Sequence, residues 1–554
     1  MLRKDVGKST ELEFVSIDAL VPSDHLLRKV DKHIDFSFIR EKVACLYCAD
    51  NGRPAIDPVV LFKMLLLGYL FGVRSERQLM REIQVNVAYR WFLGMTLTEK
   101  VPDASTLSQN RRRRFRESDI YQEIFDEIVL QAMKRRLVDG QTLYTDSTHL
   151  KANANKHKFR KEVVQKSTRS YLDELEQAID EDRLEHGKSP LKPEKREPVA
   201  KETKISTTDP ESGYMVRDGK PKGFFYLDHR TVDGLHNIIT DSFVTSAALH
   251  DSIPYLSRLD RQIERFDFET REVGLDAGYH TPAICKGLEE RNIYGVIGYH
   301  RPTHRKGYFR KRDYRYDKKQ DHYLCPAGEV LSYSTTNRNG YREYKSNPDL
   351  CQHCPLREQC TQSANHTKVI TRQVWERSKE RVDMHRLMQR GKAIYARRKE
   401  TVERSFADAK QLHGHRYAKM RGLARVFEQC LLCAAAQNIK IIARHAGKSL
   451  QNRFDLMLQI LFFFLQSSPR LIPIPIRPRP TRYHPEPPPN TKNKPRLKKT
   501  GFVSNLSRSM TGSCFCFGVS RRMRGEGLHD GLETLKSLHV VGAFEGAGFG
   551  DGFL

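Results

Sequence analysis

From Ile56 to Leu93 apolar side chains return every three or four positions, as Leu61, Met64, Leu65, Leu67 and Leu70 and then Leu79, Ile83, Val87 and Trp91. That period is helical, so the segment predicts a packed helical N-terminal region. The following VPDASTLSQNRRRRFR opens on Asp103 or Ser105, either of which can cap a helix whose exposed side then carries Arg111, Arg112, Arg113, Arg114 and Arg116. Past Gly140 the texture changes to QTLYTDSTHLKANA, a β-type run with Asp146 inside it. Strand-like runs recur at GFFYLDHRTV, HNIITDSFVTSA, REVGLDAGY and IYGVIGYH, with helical PYLSRLDRQIERF and TPAICKGLEERN separating the last three. Three strands, helix, strand, helix, strand predicts an α/β fold in which helices cover a mixed sheet.

Two stretches interrupt this rhythm. Residues from about 156 to 215 begin rich in Lys, Arg and Glu and poor in aromatics, carry Pro190, Pro193 and Pro198, and read as a partly helical surface insertion. Residues 301–373 are basic, Tyr-rich and hold four cysteines, and they too look inserted before a helical pattern resumes near Trp375 and runs past Arg444. The expected organisation is a helical domain over 1–125, a sheet region over 140–300, the cysteine insertion over 301–373, a last helical region over 374–446 and a tail over 447–554. The tail contains PRLIPIPIRPRPTRYHPEPPPNTKNKPRLKK, which is proline-rich and basic and reads as extended and disordered. Its Gly-rich close fits translation past a natural stop.

At 554 residues the chain is too long for one core. The 95 Lys and Arg against 68 Asp and Glu give a formal net charge of +27, so a polyanion is the first partner to consider, with anionic lipid or a merely basic surface as alternatives. The start has no apolar signal core and no segment approaches the roughly 20 apolar residues of a membrane span, so the expected location is the cytoplasm, away from membranes. The most apolar run, Leu456 to Leu465, is short and interrupted by Gln459. Eleven cysteines without a secretory signal argue for thiols or metal ligands, not a disulfide framework.

Phosphoryl transfer on DNA needs an activated oxygen nucleophile and a stabilised leaving oxygen, and two metal ions about 3.5–4 Å apart supply both when carboxylates hold them. Asp146 lies in the first strand of the expected sheet, and Asp276 ends the REVGLD strand just before Ala277, Gly278 and Tyr279. The third acid comes from YARRKETVERSFADAKQLHGHRYAK. On one continuous helix, at about 100° per residue, Tyr395, Lys399, Glu403, Phe406 and Lys410 share a face. That face would set an acid beside two cations able to neutralise a DNA strand.

TDSTHLKANANK, GLDAGY and ETVERSFADAK resemble the three acidic motifs of the DDE transposases of bacterial insertion sequences, in particular the group with a Tyr-Arg-Glu-Lys signature around the last acid. The resemblance covers residues 10 to 445, and it implies a ribonuclease-H-like core with helices on both faces and a helical domain that binds DNA ends. It further implies two magnesium or manganese ions on Asp146, Asp276 and Glu403, cleavage at the element end, and attack of the freed 3′ hydroxyl on a second phosphodiester. The partners it implies are terminal repeats, target DNA and a second copy of the chain in a paired-end complex. The signature spacing is Tyr, two residues, Arg, three residues, Glu, six residues, Lys. Glu403 and Lys410 fit it, Lys399 stands at the Arg place, and Tyr395 and Arg398 each come one residue early. Trp375, 28 residues before Glu403, is the candidate for stacking a flipped base, as in some related enzymes, or is a core residue.

Cys325, Cys351, Cys354 and Cys360 are candidate ligands of a structural zinc, or reduced thiols without an ion. Cys430 and Cys433 lie in the apolar CLLCAAAQNI and read as core. Two other functions fit the same sequence: a ribonuclease-H-like nuclease that cuts without joining, and a DNA-binding protein without catalysis.

Overall fold

The computed structural model describes residues 14–48, 55–116, 118–165, 169–192, 200–216, 221–299 and 305–467. These belong to one compact unit, and the proline-rich tail beyond 467 lies outside the described residues. Helices fill the N-terminal part, among them Pro58–Leu70, Glu76–Val85, Val87–Leu93, Ala104–Arg113 and Ile120–Lys134. Pro58–Leu70 starts on Pro58 with Asp57 accepting from the Val59 N–H, a start that wastes no donor. It is buried at every position from Met64 to Leu70, so it forms the axis of the bundle instead of a one-sided surface helix. Asp103, not Ser105, caps Ala104–Arg113, accepting from the Ser105 N–H at 2.7 Å.

Eight strands follow: β1 (Thr142–Lys151), β2 (Phe159–Gln165), β3 (Ala200–Ser206), β4 (Gly213–Met215), β5 (Gly223–Asp233), β6 (Ile239–Ser246), β7 (Glu272–Leu275) and β8 (Tyr294–Ile297). The main sheet runs β6-β5-β1-β7-β8, with β4 sharing the outer edge of β5. β1 is antiparallel to β5 but parallel to β7, and β7 is parallel to β8, so the sheet is mixed. Every position of β5 is buried, as expected for a strand covered on both faces. Hydrogen bonds show the two covers. From one face Thr231 and Thr240 meet Gln262 of helix Tyr255–Phe266, and from the other Thr148 and Arg230 meet Lys410 and Ser405 of helix Val402–Leu412. The charged insertion supplies the β2–β3 pair and, between them in sequence, helix Arg169–Glu185.

The cysteine insertion folds into a sheet that the sequence pattern does not announce. β9 (Arg315–Asp317), β10 (His322–Leu324), β11 (Val330–Thr336), β12 (Tyr341–Ser346) and β13 (Val369–Gln373) form an antiparallel meander around Tyr314, Tyr323, Leu331, Tyr344 and Ile370. Tyrosines take the place of aliphatic core residues here.

The expected single helical run near the C-terminus is four helices: Glu376–Leu387, Gln389–Arg397, Val402–Leu412 and Leu423–Ser467. Within the last, Leu423–His445 is long and apolar enough to cross a membrane by length and composition, contrary to the sequence expectation, with a mean hydropathy of 1.2. Its 78% burial shows where that apolar surface goes: Val426, Leu431, Leu432 and Ala434 to Ala436 pack in the core. Leu456–Leu465 continues this helix, but its side chains lie outside the description.

Candidate active site

Parallel pairing sets the first two acids side by side. Thr145 on β1 pairs with Leu275 on β7, so Asp146 is one residue beyond that pair on one strand and Asp276 one residue beyond it on the other. β1 continues because β5 still pairs with it, whereas β7 ends and Asp276 begins the short 3-10 turn Ala277–Tyr279. Asp146 is 20% exposed and Asp276 51%. Helix Val402–Leu412 brings the third acid, Glu403, in its first turn. Lys410 holds this helix to β1 by donating to Thr148 Oγ1 at 2.6 Å.

The guanidinium of Arg398 lies among the three acids. It is 3.8 Å from Glu403, 3.5 Å from Asp276 and 2.7 Å from Asp146, and it is only 4% exposed. A single cation thus already sits where the three carboxylates converge, and the donor set is all carboxylate oxygen, the hard ligands that magnesium or manganese takes. On both counts the three residues fit a divalent ion. Burial pushes the Asp146 carboxyl up to about 6; Arg398 and the Ser147 N–H pull against that shift, and Asp276 and Asp251 reinforce it.

Arg398 reaches the triad because the helix breaks. Five residues on a straight helix would turn Arg398 about 140° away from Glu403. Instead residues 398–401 form a wide turn in which the Glu403 N–H donates to the Arg398 carbonyl, a five-residue span of the π type. The Thr401 hydroxyl donates to Arg397 O at 2.9 Å and stabilises the break. The single helix face assumed from Tyr395 to Lys410 therefore does not exist. Lys399 is exposed, and the residue among the acids is Arg398. Tyr395 stays beside it, its hydroxyl 3.5 Å from the Arg398 Nη1. Gly298, after β8, leaves room for that hydroxyl: a Cβ there would lie 2.6 Å from Tyr395 Oη and 2.8 Å from Ala277 N.

Behind the acids a buried polar cluster ties the last helices to the sheet. Arg230 sits opposite Asp146 on β5, pairs with Asp228 at 2.8 Å, donates to Ser405 Oγ at 3.2 Å and lies over the Phe406 ring. His415 also contacts Asp228, at 3.0 Å. Burial opposes the Asp228 charge, yet Arg230 and His415 hold its carboxyl down to about 2. Asp228, His415 and Cys430 could hold a metal by proximity, but Arg230 already neutralises the carboxylate. Asp251, Thr148, Arg230 and Ser405 were missed by sequence reasoning, and no local signal marks them.

The arginine run divides. Arg111 pairs with Glu76 at 2.5 Å and approaches Glu428, so its charge is met within the protein; Arg114 is half-buried and stacks over Tyr47, and Arg112 and Arg113 are exposed. Trp375 is half-buried at the start of helix Glu376–Leu387. Cys325, Cys351, Cys354 and Cys360 line one small cavity of about 30 Å³. Among the described residues, Asp228, His415 and Cys430 are the one group of three ligand atoms within 4.8 Å of one another, so the four sulfurs stand wider apart than in a closed cage.

Residues 15–113 match the model of a transposase domain (DUF772), and residues 324–443, which include Glu403, match that of a transposase DDE domain. Both matches are to transposases, and they bracket the sheet that carries Asp146 and Asp276. No curated protein matches the chain. Among solved structures, the chain is similar to a piggyBac transposase synaptic complex with hairpin DNA, at 10% identity and a TM-score of 0.31 over 77% of this chain and 74% of that one. A Mos1 transposase paired-end complex with the left transposon end is similar at 12% identity and a TM-score of 0.14 over 46% and 62%.

Proposed function

We propose that the chain is a DDE transposase with a ribonuclease-H-like core, of the group with the Tyr-Arg-Glu-Lys signature, which cuts element ends and joins them to target DNA. The observation that carries this reading is the meeting of Asp146, Asp276 and Glu403, from two adjacent strands and one helix, around a single cationic point. Those three side chains would hold two magnesium or manganese ions, which when bound supply an activated oxygen nucleophile and a stabilised leaving oxygen. The chain's own groups orient and neutralise. Arg398 balances the acids and Tyr395 fixes the guanidinium, while Lys410 holds the Glu403 helix against β1. Lys399, Arg112 and Arg113, all exposed, are positioned to meet DNA phosphates, and Trp375 is the stacking candidate for a displaced base. A pair of such chains would hold two ends.

Glu403→Gln should leave binding of a labelled element end intact and abolish its Mg²⁺-dependent cleavage; a variant that still cuts removes Glu403 from the site. The nuclease reading predicts cleaved but never joined products in the same reaction. The cysteine quartet has a structural part here, as a zinc cage closed when the ion draws the four thiols together.

A further inference from the structure

A second charged feature lies apart from the acids, between the two segments that match transposase domains. A half-open cleft of about 1100 Å³ is lined by Arg74, Arg77, Arg81, Lys100, Arg112 and Arg425, which come from helices Glu76–Val85 and Ala104–Arg113, the loops that precede them, and the last helix. All six are exposed. The lining's other cations, Arg111 and Lys419, match its two acids in number: Glu76 pairs with Arg111, and Asp103, which caps its own helix, is drawn on by Arg77. Six cations in excess, drawn from separate segments, repel one another, so an arrangement that gathers them fits a ligand bearing a row of negative charges. The volume exceeds the usual range of a small-molecule site.

The cleft is also fixed to the catalytic helix. Gly72, at φ +67°, lies so close to the end of helix Val402–Leu412 that a Cβ would be 2.8 Å from Leu412 O. His413 Nδ1 meets Tyr69 O at 2.8 Å, and Lys419 Nζ donates to Val73 O at 3.1 Å. Helix Val402–Leu412 thus carries Glu403 in its first turn and meets the cleft's flank at its other end.

We propose that this cleft seats the phosphate backbone of duplex DNA flanking the bond held at the acids. The proposal rests on the reading of the chain as a DNA-cutting transposase. It assigns backbone binding to residues scattered through the sequence, with Arg112 as the one member drawn from the arginine run.

The test is the salt dependence of binding to a fluorescein-labelled duplex of mixed sequence, read by anisotropy on the full chain. Each phosphate contact contributes about 0.9 to the slope of log affinity against log salt, so Arg77→Gln, Arg81→Gln and Arg112→Gln together should flatten it by about 2.7. Between about 50 and 200 mM salt the parent should then lose about 40-fold more affinity than the triple variant. The same duplex should protect the cleft in footprinting with a lysine-modifying reagent at Lys100. An unchanged slope in a variant that melts like the parent overturns the cleft, as does equal flattening on substituting exposed Lys188, Lys318 and Lys319. A parent that cuts end DNA while failing either arm loses only the cleft; a parent that binds no DNA loses the transposase reading with it. Binding of anionic lipid vesicles but not duplex would also overturn the proposal.

Discussion

Asp146 is held where its charge is disfavoured, and removing the charge measures by how much. Its carboxyl is pushed up to about 6 from an ordinary value of 3.8, a difference of about 2 pH units and so about 3 kcal/mol at 1.36 kcal/mol per unit. The folded-state value lies above the unfolded one. The favourable contribution of the neutral form is therefore complete below about pH 4 and is lost as pH rises through about 6. Above that the folded chain carries a carboxylate about 3 kcal/mol more costly than in the unfolded chain, a figure that already contains the attraction of Arg398. Asp146→Asn keeps the shape and abolishes the titration. At about pH 8 it should stabilise the metal-free chain by up to ~3 kcal/mol, a rise of several degrees in Tm, and at about pH 4 by almost nothing. Cleavage should disappear in the same variant. Thermal melts of parent and variant across this range test the reasoning, which fails if the gain is absent at pH 8 or the same at both ends.

Arg398→Ala leaves three acids facing one another, so the metal-free variant should lose ~1–2 kcal/mol near neutral pH, a buried-pair cost discounted because two of the acids are half exposed and Asp146 can take up a proton. Manganese should restore its Tm by more than it raises the parent's; equal shifts would separate Arg398 from the ion's place. Gly298→Ala forces Tyr395 or the Ala277 backbone to move and should cost ~1–3 kcal/mol and slow cleavage on the order of 10²-fold; parental rates would show that Tyr395 does not set the geometry. Purified chain should contain zinc that Cys354→Ser removes, and zinc-free protein with an intact fold dismisses the cage.

The main sheet was legible because its strands alternate or run apolar between clear turns and helices, and because Asp146 sits within one such run and Asp276 at the end of another. Their adjacency was less legible, since it depends on the parallel register of Thr145 with Leu275, which local pattern does not encode. The sheet of β9 to β13 was missed because its strands are short and polar and its core is tyrosine. The wide turn at 398–401 contains no Gly or Pro to announce it, and the helical period on either side invited one unbroken helix. Arg111 and Arg114 looked like surface charge because the run is contiguous, while their partners Glu76 and Tyr47 lie far from it in sequence. The cleft cations gave the opposite problem, being near in space and dispersed along the chain.

The turn before Glu403 also bears on how such a chain can vary. A wide turn absorbs one residue without rotating what lies on either side of it, so length can change at 398–401 while the side chains that meet at the acids keep their places. Loss of that residue would give an ordinary helix with Arg four before Glu, about 40° apart and still neighbours. Two chains with different counts there can therefore share one three-dimensional arrangement, and a search that insists on a fixed interval will pass over the longer one.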